Sequence, residues 1–251
     1  MSAGQAGQMS PFAGKNAKLC TITYLTGVYL FMHAPTPSEK PVLSVFDFDG
    51  TLTRRDSFVP FLRFAFGKRV FSLRMLRLVL PTLRCFSRKL TRDELKEVLI
   101  TTFLTGTDAR WVEKKAQEFC ERYWHKMMRP EGLRAVAAEI ASGAEVTLCS
   151  ASPELVLKPF TERLGIKLIG TQLEEKDGIL TGKINGNNCR CGQKIARLQQ
   201  VYGDLSAYHM RAWGDSRGDY ELLYAAGEPH WRHFHRNPAK YEKRRKQFSS
   251  R

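Results

Sequence analysis

The sequence predicts an α/β fold with a mostly parallel sheet, and three observations lead there. Short apolar runs ending in polar or acidic residues recur at Val42 to Phe46, Glu145 to Cys149 and His209 to Trp213. Segments of helical spacing alternate with them, the order expected when crossover helices join parallel strands. A long, mainly helical stretch separates the first two runs, so one core carrying an insertion suits the 251 residues better than several modules.

Residues 1–40 read as an N-terminal leader: Gly, Ser, Ala and Gln first, then an apolar stretch from Leu19 to Met32, then a Pro-containing link. The apolar stretch is shorter than the roughly 20 residues a spanning helix needs. Lys15 and Lys18 suggest a signal peptide, but no small-x-small cleavage site follows; the alternative is that translation starts at Met32.

Val42 to Phe46 is the first strand. Helices are expected at Asp56 to Phe66, Val70 to Phe86, Leu95 to Leu104, Ala109 to Met127 and Glu131 to Ser142. Thr91 and Glu94 have capping-box spacing ahead of the third. After the strand Glu145 to Cys149, Ser152-Pro153-Glu154 reads as an N-cap with proline at the first helical position. Lys167 to Thr171 is a further strand, and a hairpin is expected around Lys176, Asp177 and Gly178. Lys194 to Tyr202 returns to helix, His209 to Trp213 to strand, and Asp219 to Ala226 to helix.

The chemistry concentrates where strands end. Asp47-Phe48-Asp49-Gly50-Thr51 follows the first strand directly, and ligands in open α/β sheets bind outside the carboxyl ends of strands. Residues two apart on extended chain share a side, so the carboxylates of Asp47 and Asp49 can converge. Such a pair suits phosphoryl transfer, one Asp attacking phosphorus while the other handles the proton. The bland alternative is a polar turn, where Asp and Gly are common for conformational reasons.

Gly214-Asp215-Ser216-Arg217-Gly218-Asp219 ends another apolar strand in carboxylates. With Asp47 these offer an all-oxygen site for a hard cation, for which Mg²⁺ is expected; Asp219 could instead cap the helix that follows. Ser150, at a strand end, can donate to a phosphoryl oxygen, and Lys194 can neutralise charge on phosphorus. Either could equally be structural.

The order strand-D-F-D-G-T-L-T, strand-S, G-x-x-K and G-D-x-x-x-D resembles the haloacid dehalogenase superfamily from Val42 to about Phe234. The resemblance implies a Rossmann-like core, with Asp47 as nucleophile, Asp49 as general acid and base, and Lys194 as the charge-neutralising base. Gly50, Thr51, Ser150 and Lys194 would cradle the phosphate. Asp47, the backbone carbonyl of Asp49 and Asp215 would hold Mg²⁺, with Asp219 behind them. The second Asp of D-x-D points to phosphate esters rather than dehalogenation.

The early helical insertion resembles the C1-type cap of the phosphoserine phosphatase-like branch, subfamily IB. Asp56 stands where phosphoserine phosphatase has a substrate-binding Glu. Ser150-Ala151-Ser152 and Gly218 depart from that enzyme and are more similar to the hydrolases that include phosphatidylglycerophosphatase C. The implied organisation is a leader at 1–40, a core at 41–57 and 131–236, a cap at 58–130 and a basic tail at 237–251. A magnesium-dependent phosphomonoesterase acting on a phospholipid head group is the expectation, with a small soluble phosphoserine-like ester as the alternative.

The net charge of +15 favours an anionic partner, and between Asp56 and Asp93 there is no acidic residue. On a helical projection Arg74, Arg77, Arg84 and Arg88 share one side, while Met75, Leu76, Val79, Leu83 and Phe86 lie largely opposite, with a break near Pro81. One reading is a cap helix that buries its apolar side and solvates its arginines; the other is a peripheral contact with an anionic membrane. No motif supports specific nucleic-acid recognition, which leaves a non-catalytic polyanion binder as a remote alternative. Six scattered cysteines without C-x-x-C spacing read as reduced thiols in a cytoplasmic protein, with association to a membrane left as the option the basic cap raises.

Overall fold

The computed structural model describes residues 40–79, 91–235 and 238–249. Residues 1–39 of the leader, the far half of the helix expected from Val70 to Phe86 with Pro81 and Arg84, and Arg88 beyond it lie outside the described residues.

Five parallel strands form the sheet in the order β3-β2-β1-β6-β7. They are β1 (Val42–Phe46), β2 (Glu145–Pro153), β3 (Lys167–Thr171), β6 (His209–Gly214) and β7 (Glu228–Trp231). A two-stranded antiparallel ribbon, β4 (Leu173–Lys176) and β5 (Ile179–Ile184), is the expected hairpin. The helices are α1 (Phe58–Leu76), α2 (Arg92–Leu104), α3 (Ala109–Met127), α4 (Pro130–Ala141), α5 (Glu154–Leu164), α6 (Gly192–Tyr202), α7 (Tyr220–Ala225) and α8 (Glu242–Ser249).

Strand β1 is central and buried on both faces, as a parallel strand flanked by helices must be. Its residues alternate: Leu43 and Val45 join one buried cluster with Met210 and Ala212, whereas Phe46 joins another with Val146, Leu148 and Trp213. In-register pairing puts Phe46 beside Trp213 and Trp213 beside His230. Their rings stack in one layer, with centroids 4.1 and 4.4 Å apart. Burial, and then the charge of His233, pull His230 down to about 4, so it stacks as a neutral ring.

Helices α1 to α3 form the insertion. Chain leaves and re-joins the core at one place, where Thr53 bridges to Met128 and the Arg129 N–H donates to the Leu52 carbonyl at 2.8 Å. Helix α1 breaks at Gly67, whose φ of 75° is open to glycine at little cost. Thr91 and Glu94 form the expected capping box of α2. Aromatic contacts tie the insertion together and to the core: Phe119 meets Phe61, Phe64 and Tyr123 within the insertion and Phe160 of α5 outside it.

Three expectations are corrected. Ser152 does not cap α5; β2 runs on through Pro153, and the Ser152 hydroxyl is used elsewhere. Strand β7 adds to the strands that the sequence pattern predicts, because four residues with a proline carry little strand signal; Pro229 is tolerated on an edge strand, where one side needs no ladder donor. Helix α1 buries Phe58, Phe61 and Leu62 and packs Phe64, Phe66, Phe71 and Met75 against the core, but it does not solvate all its arginines. Arg74 turns inward, donating to the Phe103 carbonyl at 2.8 Å and lying over the Phe66 ring, while Leu73 and Leu76 are 66% and 68% exposed.

Because Phe119 is buried at the junction of insertion and core, Phe119→Ala is expected to cost about 3–5 kcal/mol in urea unfolding. A loss below about 1 kcal/mol would show that these rings do not join the two parts.

Candidate active site

The C-terminal ends of β1, β2 and β6 and the start of α6 converge above the Phe46–Trp213 layer. The Asp47 N–H donates to the Trp213 carbonyl at 2.9 Å, so the β1–β6 ladder extends into the first acidic residue and fixes its direction.

Lys194, 1% exposed at the start of α6, is the hub. Its ammonium donates to Asp47 Oδ1 at 2.7 Å and to Asp219 Oδ1 at 2.6 Å. Burial alone would strip its proton, but the charges of Asp219 and Asp47 outweigh that and hold it charged well above the ordinary lysine value. Burial would likewise raise Asp219; Lys194 and the Ser216 donors overcome it and leave this carboxyl below its usual value. Asp47 is raised, by burial first and then by Asp219, against the pull of Lys194.

Asp219 is saturated. Its Oδ2 accepts from the Asp215 and Ser216 backbone N–H groups at 3.3 and 2.9 Å, and from the Ser216 hydroxyl at 2.9 Å. It therefore folds the G-D-S-R-G-D turn and orients Lys194, and it does not cap α7 with its side chain. Asp215 stands more open: Thr51 Oγ1 donates to its Oδ1 at 3.4 Å, and the Arg232 Nε–H donates to its carbonyl at 2.9 Å. Burial, then the charge of Asp219, push the Asp215 carboxyl up to about 6.

Two glycines make this approach possible. A Cβ on Gly50, where φ is +86°, would lie 2.5 Å from Asp215 Oδ2; one on Gly214 would lie 2.5 Å from Asp219 Cβ. Arg129 and His235 steady the turn from outside, with Arg129 Nη2 3.5 Å and His235 Nε2 3.2 Å from the Gly50 carbonyl oxygen.

Carboxylate oxygens of Asp47, Asp215 and Asp219 lie within 4.8 Å of one another. Three carboxylates facing one ammonium leave excess negative charge, and all the donors are oxygen. That set suits a hard divalent ion such as Mg²⁺.

Asp49 faces a different group. Its Oδ1 accepts from the Ser57 N–H at 2.7 Å and its Oδ2 from the Ser152 hydroxyl at 2.5 Å. Burial, then the charge of Asp56, push Asp49 up to about 6, while Ser152 and Ser57 pull the other way. Ser150 is buried at the end of β2, its hydroxyl accepting from the Ser152 N–H at 3.2 Å. Asp56 accepts from the Val59 N–H at 2.9 Å and so opens α1.

The structure thus joins Asp47, Thr51, Lys194, Asp215 and Asp219 in one hydrogen-bonded set, with Asp49 and Ser150 linked to each other through Ser152. Sequence reasoning missed Ser152, read as a cap, and Lys96. The Lys96 ammonium comes from α2, donating to the Ala151 carbonyl and to Asn188 Oδ1, the latter at 3.0 Å. Burial pulls Lys96 down to about 8, against the opposing charges of Asp49, Cys189, Asp56 and Asp93. No motif marks it; the only signal was a lysine on an inserted helix.

The family model described as haloacid dehalogenase-like hydrolase matches residues 44–224. Protein CicA of Caulobacter vibrioides is 38% identical over 206 residues, spanning 80% of this chain and 90% of that protein. A solved structure from Bordetella pertussis Tohama I, described as a protein with unknown function, aligns with a TM-score of 0.67 at 23% identity, over 76% of this chain and 89% of the other. A phospho-aspartyl intermediate analogue of phosphoserine phosphatase aligns with a TM-score of 0.51 at 21% identity, over 76% and 85% of the two chains. The structural likenesses carry the fold.

Lys194→Met, studied with chelator present, leaves Asp47 and Asp219 facing each other without their shared cation, and is expected to lose about 3–5 kcal/mol near neutral pH. Carboxyls whose folded pKa lies above the unfolded value near 3.8 stabilise the fold as they gain protons. The gap between variant and parent should therefore narrow as the pH falls from about 7 to about 5. Denaturation midpoints whose difference stays constant across that range would contradict the hub.

Proposed function

The chain belongs to the haloacid dehalogenase-like hydrolase family, and we propose that it is a magnesium-dependent phosphomonoesterase working through an aspartyl-phosphate on Asp47. The observation that carries this reading is the buried ammonium of Lys194, gripped by Asp47 and Asp219 beside Asp215.

A carboxylate oxygen of Asp47 attacks phosphorus, and the ester oxygen departs with a proton from Asp49. Water then attacks the phosphorus of the acyl phosphate, Asp49 takes its proton, and inorganic phosphate leaves. With its carboxyl near 6, Asp49 can hold and release a proton close to neutral pH. Ser57 and Ser152 fix its orientation through both steps. The Gly50–Thr51 turn, the Ser150 hydroxyl and Lys194 receive the phosphoryl oxygens, and Lys194 balances charge developing on them. Asp47, Asp215 and the Asp49 carbonyl would hold Mg²⁺, which when bound supplies the positive charge that lets an anionic phosphoryl group approach a carboxylate.

For the substrate, we favour a phospholipid head group such as phosphatidylglycerophosphate over a soluble phosphoserine-like ester. Helix α1 exposes Val70, Leu73 and Leu76 together with Lys68, Arg69 and Arg77, a basic face with apolar side chains outward. Such a face suits an anionic bilayer surface, where each basic residue contributes about 1 kcal/mol. Among the described residues no helix is long and apolar enough to cross a membrane, so the contact would be peripheral.

Phosphate release from lipid and soluble esters, with Mg²⁺ and with chelator, tests this reading. Turnover should vanish with chelator and fall by at least about 1,000-fold in Asp47→Asn. Unchanged turnover in that variant rules the mechanism out. Leu73→Glu/Leu76→Glu should weaken sedimentation with anionic vesicles and slow hydrolysis of vesicle-borne ester, leaving a soluble ester unaffected. Equal effects on both substrates would remove the membrane face from the account.

A further inference from the structure

Beside Asp215, on the side of the β7 edge, lies a cavity of about 300 Å³ between the G-D-S-R-G-D turn, α7, β7 and α8. Four cationic side chains line it, Arg217, Arg232, Lys240 and Arg244, and its one carboxylate belongs to Asp215. We propose that this cavity is an anion subsite that takes a phosphate group in addition to the one that reacts at Asp47.

Two of the cations are held in place. The Arg232 guanidinium lies 5.2 Å from the Trp231 ring centroid and 4.9 Å from that of Tyr241, with its Nε–H committed to the Asp215 carbonyl. Arg244 lies 5.6 Å from the Tyr220 ring centroid and also donates to the Tyr220 hydroxyl. The rings act as shelves that fix planar forks, the arrangement in which arginine recognises phosphate bidentately at least entropic cost. The other two side chains are uncommitted: among the described residues, neither the Arg217 guanidinium nor the Lys240 ammonium makes a hydrogen bond or ion pair.

Backbone geometry adds a second observation. Arg232 has φ +49°, a conformation side chains rarely adopt, and it is pinned there by its N–H to the Gly214 carbonyl at 2.8 Å and by Arg245 Nη2 on its own carbonyl at 2.9 Å. Such strain persists only where the surroundings impose it, and here it aims a guanidinium into the cavity mouth beside Asp215. Four like charges around one small cavity repel one another unless an anion joins them. Arg217, Lys240 and Arg244 stand at the exposed rim of this open cavity and Arg232 is half-buried in its wall; the two preset guanidinium forks set it apart from ordinary solvated basic surface and suit a tetrahedral dianion or a diester.

Since Asp215 belongs both to this cavity and to the carboxylate set around Lys194, a ligand with two phosphates could engage both places. The link to turnover rests on the phosphatase reading, whereas the binding itself does not. Two sources fit the chemistry: the diester phosphate of a lipid head group whose terminal monoester reacts, or free inorganic phosphate.

The test is the double variant Arg217→Ala/Lys240→Ala in the full chain, with thermal unfolding to confirm an intact fold. With p-nitrophenyl phosphate, which has one phosphate, kcat and KM should stay within about twofold of the parent. With detergent-dispersed phosphatidylglycerophosphate, KM should rise about tenfold or more at unchanged kcat, the equivalent of one lost charge-assisted contact. In an Asp47→Asn background, calorimetric titration with inorganic phosphate distinguishes the sources. If free phosphate is the occupant, a binding event is lost from the double variant while KM for the two-phosphate ester is unchanged. The proposal is overturned if neither the KM for the two-phosphate ester nor phosphate binding changes, or if both esters are affected equally. Failure of the parent protein to hydrolyse any ester would defeat the phosphatase reading, and phosphate titration would still decide the subsite.

Discussion

A single ammonium shared by two buried carboxylates organises this molecule. Lys194 reaches Asp47 at the end of β1 and Asp219 after β6, so three chain segments far apart in sequence must meet for its charge to be tolerated. Burying such a triad gains little net stability, because desolvation consumes much of the Coulombic attraction. Its effect is on geometry: a misplaced partner would leave an uncompensated charge in the interior, so Asp47 has essentially one position available.

The rest of the architecture serves that position. The stacked layer of Phe46, Trp213 and His230 levels the three strands beneath it. Gly50 and Gly214 remove the two Cβ atoms that would keep Asp215 and Asp219 at a distance. The insertion leaves and returns at Thr53 and Met128, next to the acidic turn, and touches the core again through Lys96 on Ala151 and Asn188 and through Asp93 on the Asn188 amide. Helix α2 therefore contributes charge to the site without belonging to the sheet that bears it.

Much of this was legible because strands and acidic turns write themselves locally. The apolar runs ending at Asp47 and Asp215, the Thr91–Glu94 capping box and the ribbon around Asp177 each depend on a few neighbouring residues. What stayed hidden depends on distant ones. Ser152 has the local signature of a cap, yet its hydroxyl goes to Asp49, more than a hundred residues away in sequence. Arg74 carries a charge that projection places outside, but the Phe66 and Phe103 rings and the Phe103 carbonyl draw it inward, turning Leu73 and Leu76 to solvent. The basic composition of residues 237–251 masks helix α8, whose Phe248 is buried against Tyr220, Tyr224 and Trp231.

The central claim is that the carboxylate presented by Lys194 becomes esterified to phosphate. Rapid acid quench of the parent protein during turnover of p-nitrophenyl phosphate with Mg²⁺, followed by peptide mass spectrometry, examines it most directly. One added phosphoryl group is expected on the peptide containing Asp47, absent when chelator replaces the metal. A phosphoryl group found on any other residue, or none during demonstrated turnover by the parent protein, would contradict it.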